Sequence, residues 1–225
     1  MSSKRRFRLI KIFLRDVFLF FLALILLWLG KISLWDIPRL KNHNPTQTAF
    51  IHYRGGKLVG EWAELSKISS HLKKAVVISE DGRFYDHYGL DWKEIKNSFW
   101  INLKKKKFVR GGSTITMQLA KNLYFSPRKS LWRKGGEIIL ALRLESCLSK
   151  DRILEIYLNI IEWGNGIYGI TEASQHYFGK SPLSLSVEDA SFLTSIIPNP
   201  LRFGKRPPDP SSEDQEIPDY FFMEN

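Results

Sequence analysis

A single cysteine, Cys147, occurs among the 225 residues, so no intramolecular disulfide can form. A lone thiol inside an apolar helical pattern reads as a small buried hydrophobe and is given no catalytic role. The Gly-x-x-x-x-Gly-Lys string that cradles nucleotide phosphates is absent. No internal repeat occurs, and the regular apolar–polar alternation of a sheet enzyme is missing. Acidic charge is scarce as well: 23 Asp+Glu stand against 34 Lys+Arg, a net charge of +11. That excess suits nucleic acid, an anionic membrane surface or a phosphate-bearing substrate, and charge alone does not choose among them.

What is present begins with a basic segment, 1–16, holding Lys4, Arg5, Arg6, Arg8, Lys11 and Arg15. It precedes the apolar run Val17 to Gly30, which extends to Trp35 if Lys31 snorkels. The strict run is short for a span, which needs about 18 to 20 residues, and it overlaps the length of a signal-peptide core. No small-x-small cleavage site follows, and Trp28 and Trp35 fit an interfacial aromatic belt, so 17–35 is read as one uncleaved transmembrane anchor. The basic flank is expected to stay cytoplasmic and the rest of the chain to lie outside the membrane, which argues strongly against nucleic acid as the partner.

Residues 36–65 read as a juxtamembrane connector, with one short strand near Phe50 to Tyr53 and nothing that suggests chemistry. From Ser69 onward the pattern is helical, and the domain is expected to be mainly α over 66–205. Ser69 or Ser70, Asp91, Ser130, Ser149 and Ser186 each stand before an apolar repeat as helix caps. The Pro-rich, acidic tail 206–225 is expected to be disordered.

Three stretches carry chemistry. In "ISEDGRFYDHYG", Ile78 to Gly89, Glu80 closes an apolar helix beside Phe84 and Tyr85, where desolvation raises a carboxylate toward the range of a general base. The plainer reading is a surface acid paired with Arg83; His87 is a second candidate base, or a satisfied structural histidine. In "RGGSTITMQLAKN", Arg110 to Asn122, the glycines permit a flexible loop, Ser113 or Thr114 can cap the next helix, and Gln118 and Lys121 lie three apart on it. In "RKGGEIILALRLE", Arg133 to Glu145, Arg133, Lys134 and Glu137 share a face that could hold a pyrophosphate, or simply form an i,i+4 ion pair. The run Lys104 to Lys107 is most simply a solvated face.

In this order, and together with "KDRILEIYLN", "GNGIYGITEASQHYFGK" and "EDASFLTSIIPNPLRF", these blocks resemble the peptidoglycan glycosyltransferase family, in particular its monofunctional biosynthetic, membrane-anchored members. The resemblance covers roughly Ser66 to Phe203. It implies a mainly α, lysozyme-like domain with a smaller membrane-facing lobe. It implies an enzyme that polymerises lipid II, transferring the undecaprenyl-pyrophosphate-linked chain with inversion to a sugar hydroxyl. Glu80 matches the family's general base, and Glu137 its second carboxylate, which assists at the pyrophosphate and could hold a divalent cation, Mg or Mn. Lys121, Arg133 and Lys134 match basic positions near the phosphates. Ser113, Thr114 and Gln118 match polar groups of the cleft, and Asp81 and Phe84 belong to the first block.

Two departures stand out. Met117 occupies the place of a usual glutamine, and the family pattern is expected to end soon after Phe203. The rivals are a lysozyme-like glycan hydrolase, which would need no phosphate-facing cations, and a non-catalytic membrane-tethered scaffold.

Overall fold

A computed structural model of the protein describes residues 10–20, 23, 30, 37–107, 109, 111–128 and 130–204. The expected anchor is thus covered only in part, and the tail at 206–225 lies outside the described residues. Residues 10–20 are helical, and no helix among the described residues is long and apolar enough to cross a membrane.

From residue 37 the elements are α1 (Ala49–Arg54), α2 (Ser70–Asp81), α3 (Trp92–Lys105), α4 (Ile115–Tyr124), α5 (Leu131–Cys147), α6 (Lys150–Ile160), β1 (Glu162–Gly164), β2 (Ile167–Tyr168), α7 (Ile170–Phe178), α8 (Val187–Ile196) and α9 (Pro200–Phe203). The caps explain most of these starts. Side-chain oxygens of Ser69, Asp91, Thr114, Ser130 and Ser149 accept from early backbone N–H groups of α2 to α6, and Ser186 with Asp189 forms a full capping box on α8.

The strand expected near Phe50 to Tyr53 is instead α1. Thr48 accepts from the Ile51 amide at 3.1 Å, and Gly55 ends the turn in the left-handed region, so a capped single helix wins over the β-favouring side chains. The small antiparallel hairpin β1–β2 is also a feature that the helical reading left out.

Two helices form the centre. Every residue of α6 from Ile156 to Ile160 is buried, and α4 buries Ile115, Thr116, Met117, Leu119 and Ala120. Helices apolar on nearly all sides belong inside a core. Around them Leu140, Leu144, Trp163, Ile170, Ala173, Leu193 and Ile196 complete one cluster, with α2 packed on α8.

A separate small cluster of Leu90, Met117 and Ala141 joins α3 to this body. Met117 is 2% exposed, so the position of the expected glutamine is used for packing. Close approach fixes the glycine loop: a Cβ on Gly112 would stand 3.1 Å from the Ile95 Cα of α3. Outward from that contact, α3 leaves Trp92, Phe99, Trp100 and Leu103 exposed. Cys147 is half-buried and unpaired, and Lys104 to Lys107 are exposed.

Candidate active site

Glu80 sits in the last turn of α2 and faces the first turns of α4 and α5. Its Oε2 accepts from the Gln118 Nε2 at 2.7 Å, and the Gln118 Oε1 in turn accepts from the buried Tyr157 hydroxyl at 2.9 Å. Burial raises the Glu80 carboxyl above its ordinary pKa; the Gln118 hydrogen bond and the nearby Lys121 charge oppose that shift, and Asp81 adds to it. Arg83 turns away, its guanidinium 3.7 Å from Asp91, so Glu80 is not the surface acid of the plainer reading.

Across the cleft, Glu137 is buried on α5. Arg133 pairs with its Oε1, and the Lys134 ammonium lies 3.1 Å from its Oε2 while also donating to the Ser113 hydroxyl at 2.7 Å. The Ser130 cap fixes the start of this helix, and Arg133 Nε donates to the Arg128 carbonyl at 2.8 Å. Lys121, on α4, lines the same cleft and feels the charge of both carboxylates. Burial lowers its pKa, with Arg133 and Lys134 reinforcing that and Glu137 and Glu80 opposing it. Glu80, Ser113, Gln118, Lys121, Arg133, Lys134 and Glu137 line one cleft of ≈ 340 Å³ together with Ile197 and Pro198.

Three expected site residues stand behind this wall. Thr114 is buried, caps α4 and donates to the Gly89 carbonyl at 2.7 Å. Phe84 is fully buried, with the Lys150 ammonium 4.4 Å from its ring centre. Asp81 accepts from the Ile115 amide at 3.0 Å and meets His87 Nε2 at 2.9 Å, which ties the end of α2 to the start of α4. His87 is therefore a structural partner of Asp81; its side chain is 5% exposed. Tyr157, Ile197 and Pro198 were not singled out from sequence. Tyr157 stood in a recognised block, but nothing local marks a tyrosine whose hydroxyl reaches another helix.

The residues present do not make a resident cation site at Glu137. Both its oxygens are engaged by Arg133 and Lys134, and Lys121 adds a third positive charge, so a metal ion would meet net repulsion. Asp81, His87 and Asp91 do bring ligand atoms within 4.8 Å of one another, the one such trio among the described residues. Its carboxylates already cap α3, brace α4 and face Arg83.

A half-buried carboxylate facing a row of cations across a helical cleft is the layout of an enzyme that transfers a group away from an anionic leaving group. The chain belongs to the transglycosylase family, whose model, described as Transglycosylase, matches residues 48–217. That match continues past Phe203, so the expected early departure from the family pattern does not occur. Similar proteins are named biosynthetic peptidoglycan transglycosylase. The one from Nitrosomonas eutropha is 47% identical over 169 residues, covering 71% of this chain and 69% of the relative. The Thiobacillus denitrificans relative is 46% identical over 183 residues, 77% of each chain. The Dechloromonas aromatica relative is 42% identical over 197 residues, 82% of this chain and 83% of its own.

Proposed function

We propose that this protein is a peptidoglycan glycosyltransferase that polymerises lipid II for cell wall synthesis. The observation that carries this reading is the opposition of Glu80 to Lys121, Arg133 and Lys134 across one cleft. A sugar hydroxyl of the acceptor lipid II attacks the anomeric carbon of the growing chain. The bond from that carbon to the pyrophosphate oxygen breaks as the new glycosidic bond forms, with inversion in a single displacement. Glu80 takes the hydroxyl proton, and its raised pKa brings its basicity closer to working pH. The leaving undecaprenyl pyrophosphate carries its negative charge to the three cations, where preformed donors act without reorganising. Glu137 holds Arg133 and Lys134 in place, and Ser113 steadies Lys134. A magnesium or manganese ion, where one takes part, would be held by the substrate's own phosphates rather than by Glu137.

A lipid-linked substrate also suits a protein held at the inner membrane by the apolar run at 17–35, with the catalytic domain on the periplasmic side. The exposed Trp92, Phe99, Trp100 and Leu103 support α3 as the core of a smaller lobe that faces the bilayer. A glycan hydrolase has no use for the cation row, because its leaving group is a neutral sugar hydroxyl. Incubating detergent-solubilised full-length protein with labelled lipid II is expected to give glycan polymer and free undecaprenyl pyrophosphate. Cleavage of preformed glycan without polymerisation would support the hydrolase, and neither activity would support the scaffold.

A further inference from the structure

Lys121 lies among charged groups, yet no hydrogen bond or ion pair among the described residues holds its ammonium. Its defined contact is an aromatic one: the Nζ lies 6.0 Å from the centroid of the Phe50 ring. Phe50 comes from α1, in the connector that carried no chemical signal in sequence. The ring is 8% exposed and clusters with Ile51 and Tyr168, which packs α1 against the hairpin, while α1 also packs on α4. The same ring has the Arg54 guanidinium 5.5 Å from its centre, and Arg54 reaches Glu162 at 3.4 Å. The Tyr168 hydroxyl donates to the other oxygen of Glu162 at 3.3 Å. Phe50 is thus fixed from two sides before any substrate arrives.

We infer that Phe50 is a positioning residue for Lys121, its ring seating the ammonium at the cleft so that the N–H donors stay available to a phosphate group. The inference rests on the proposed transfer from a pyrophosphate carrier, and it adds α1 to the leaving-group site. The physical reason lies in what a ring can and cannot do. Its negative face attracts a cation without accepting a conventional hydrogen bond, so the charge is steadied while all three donors remain free. A carboxylate in that place would steady the ammonium equally well but would neutralise it and consume donors.

A second, more exposed route from α1 ends on the same row of cations. The Arg128 guanidinium lies 5.8 Å from the Tyr53 ring centre, and the Arg128 carbonyl accepts from Arg133 Nε. One short helix therefore touches the surroundings of both Lys121 and Arg133. It is also the first α-helix described after the run read as the anchor.

The test uses full-length, detergent-solubilised protein and inorganic pyrophosphate, measured by calorimetry and as an inhibitor of lipid II polymerisation at fixed ionic strength. Phe50→Leu keeps the apolar volume and removes the ring; Phe50→Tyr keeps the ring. Phe50→Leu is expected to bind pyrophosphate roughly three- to thirtyfold more weakly, the range of a cation–π contact, and Phe50→Tyr to recover wild-type affinity. In a Lys121→Met background, Phe50→Leu should change pyrophosphate affinity no further. The alkaline limb of the activity profile should also move to lower pH in Phe50→Leu and return in Phe50→Tyr. Equal affinity in the wild type, Phe50→Leu and Phe50→Tyr, or an undiminished Phe50→Leu effect without Lys121, would overturn the role of Phe50, even if Phe50→Leu lowers the melting temperature. A wild type that polymerises lipid II while showing that equality removes this inference alone. A wild type that neither polymerises lipid II nor binds pyrophosphate removes the proposed function, and the inference with it.

Discussion

The Gln118 side chain bridges Glu80 and Tyr157, donating to the carboxylate at 2.7 Å and accepting from the phenol at 2.9 Å. An amide held at both ends can present only its N–H to Glu80, which favours the ionised carboxylate. Gln118→Leu removes that donor and leaves the carboxyl in its buried setting, so the Glu80 pKa rises further. The acid limb of kcat/KM is expected to shift to higher pH, with the plateau less affected. A pH–rate profile checks this, and an unmoved acid limb would separate Gln118 from the base.

Lys121 sets the opposite limb. Its pKa is lowered by burial, so activity that needs the charged ammonium falls at a pH below the ordinary lysine value. Lys121→Arg keeps the charge to much higher pH and should move the alkaline limb upward. Lys121→Met should remove that limb and lower kcat/KM about a hundredfold or more, as for loss of one preorganised donor to developing charge.

Ionising Glu80 costs folding stability. Its folded pKa stands above the unfolded value, so the native state binds the proton more tightly, and this contribution is lost as pH rises from the unfolded value through the folded one. Glu80→Gln keeps the shape and an acceptor for Gln118 without the charge. At neutral pH its melting temperature should equal or exceed that of the wild type. Thermal unfolding at pH 4 and pH 7.5 checks the sign: the gain should appear only at the higher pH.

Behind the cleft, Glu145 accepts from the Thr116 hydroxyl and the Lys150 ammonium, both at 2.7 Å. Lys150→Met would leave a buried carboxylate with one neutral partner. Breaking a buried pair from one side typically costs about 3 to 5 kcal/mol, and the partial exposure of Lys150 places this case at the lower end. Urea unfolding measures it; a loss under about 1 kcal/mol would show that solvent already screens the pair.

The readable part of this chain was what local chemistry writes directly. Serine, threonine and aspartate caps announced α2 to α6 and α8, and spacings of three and four placed Gln118 with Lys121 and Arg133 with Glu137. The role of Lys121, Arg133 and Lys134 at the phosphates came from the family resemblance, not from the net charge. Harder to read was whatever depends on what packs where. Phe50 to Tyr53 has strand-favouring side chains, and only Thr48 and Gly55 at its ends show a helix. The hairpin had a local mark in Asn165-Gly166, but strands of three and two residues carry almost no periodicity. Asp81 and Phe84 sit in a chemical block yet face inward, because one closes α4 and the other fills the core. Contacts such as Tyr157 with Gln118, or Phe50 with Lys121, join distant segments and have no signature in either one.

The most direct measurement is polymerisation of labelled lipid II by full-length protein beside Glu80→Gln under identical conditions. Wild-type polymer, reduced about a hundred- to ten-thousandfold in the folded variant, is the predicted result for loss of a general base. Polymer formed equally by both proteins would contradict the assignment of Glu80 and the mechanism built on it.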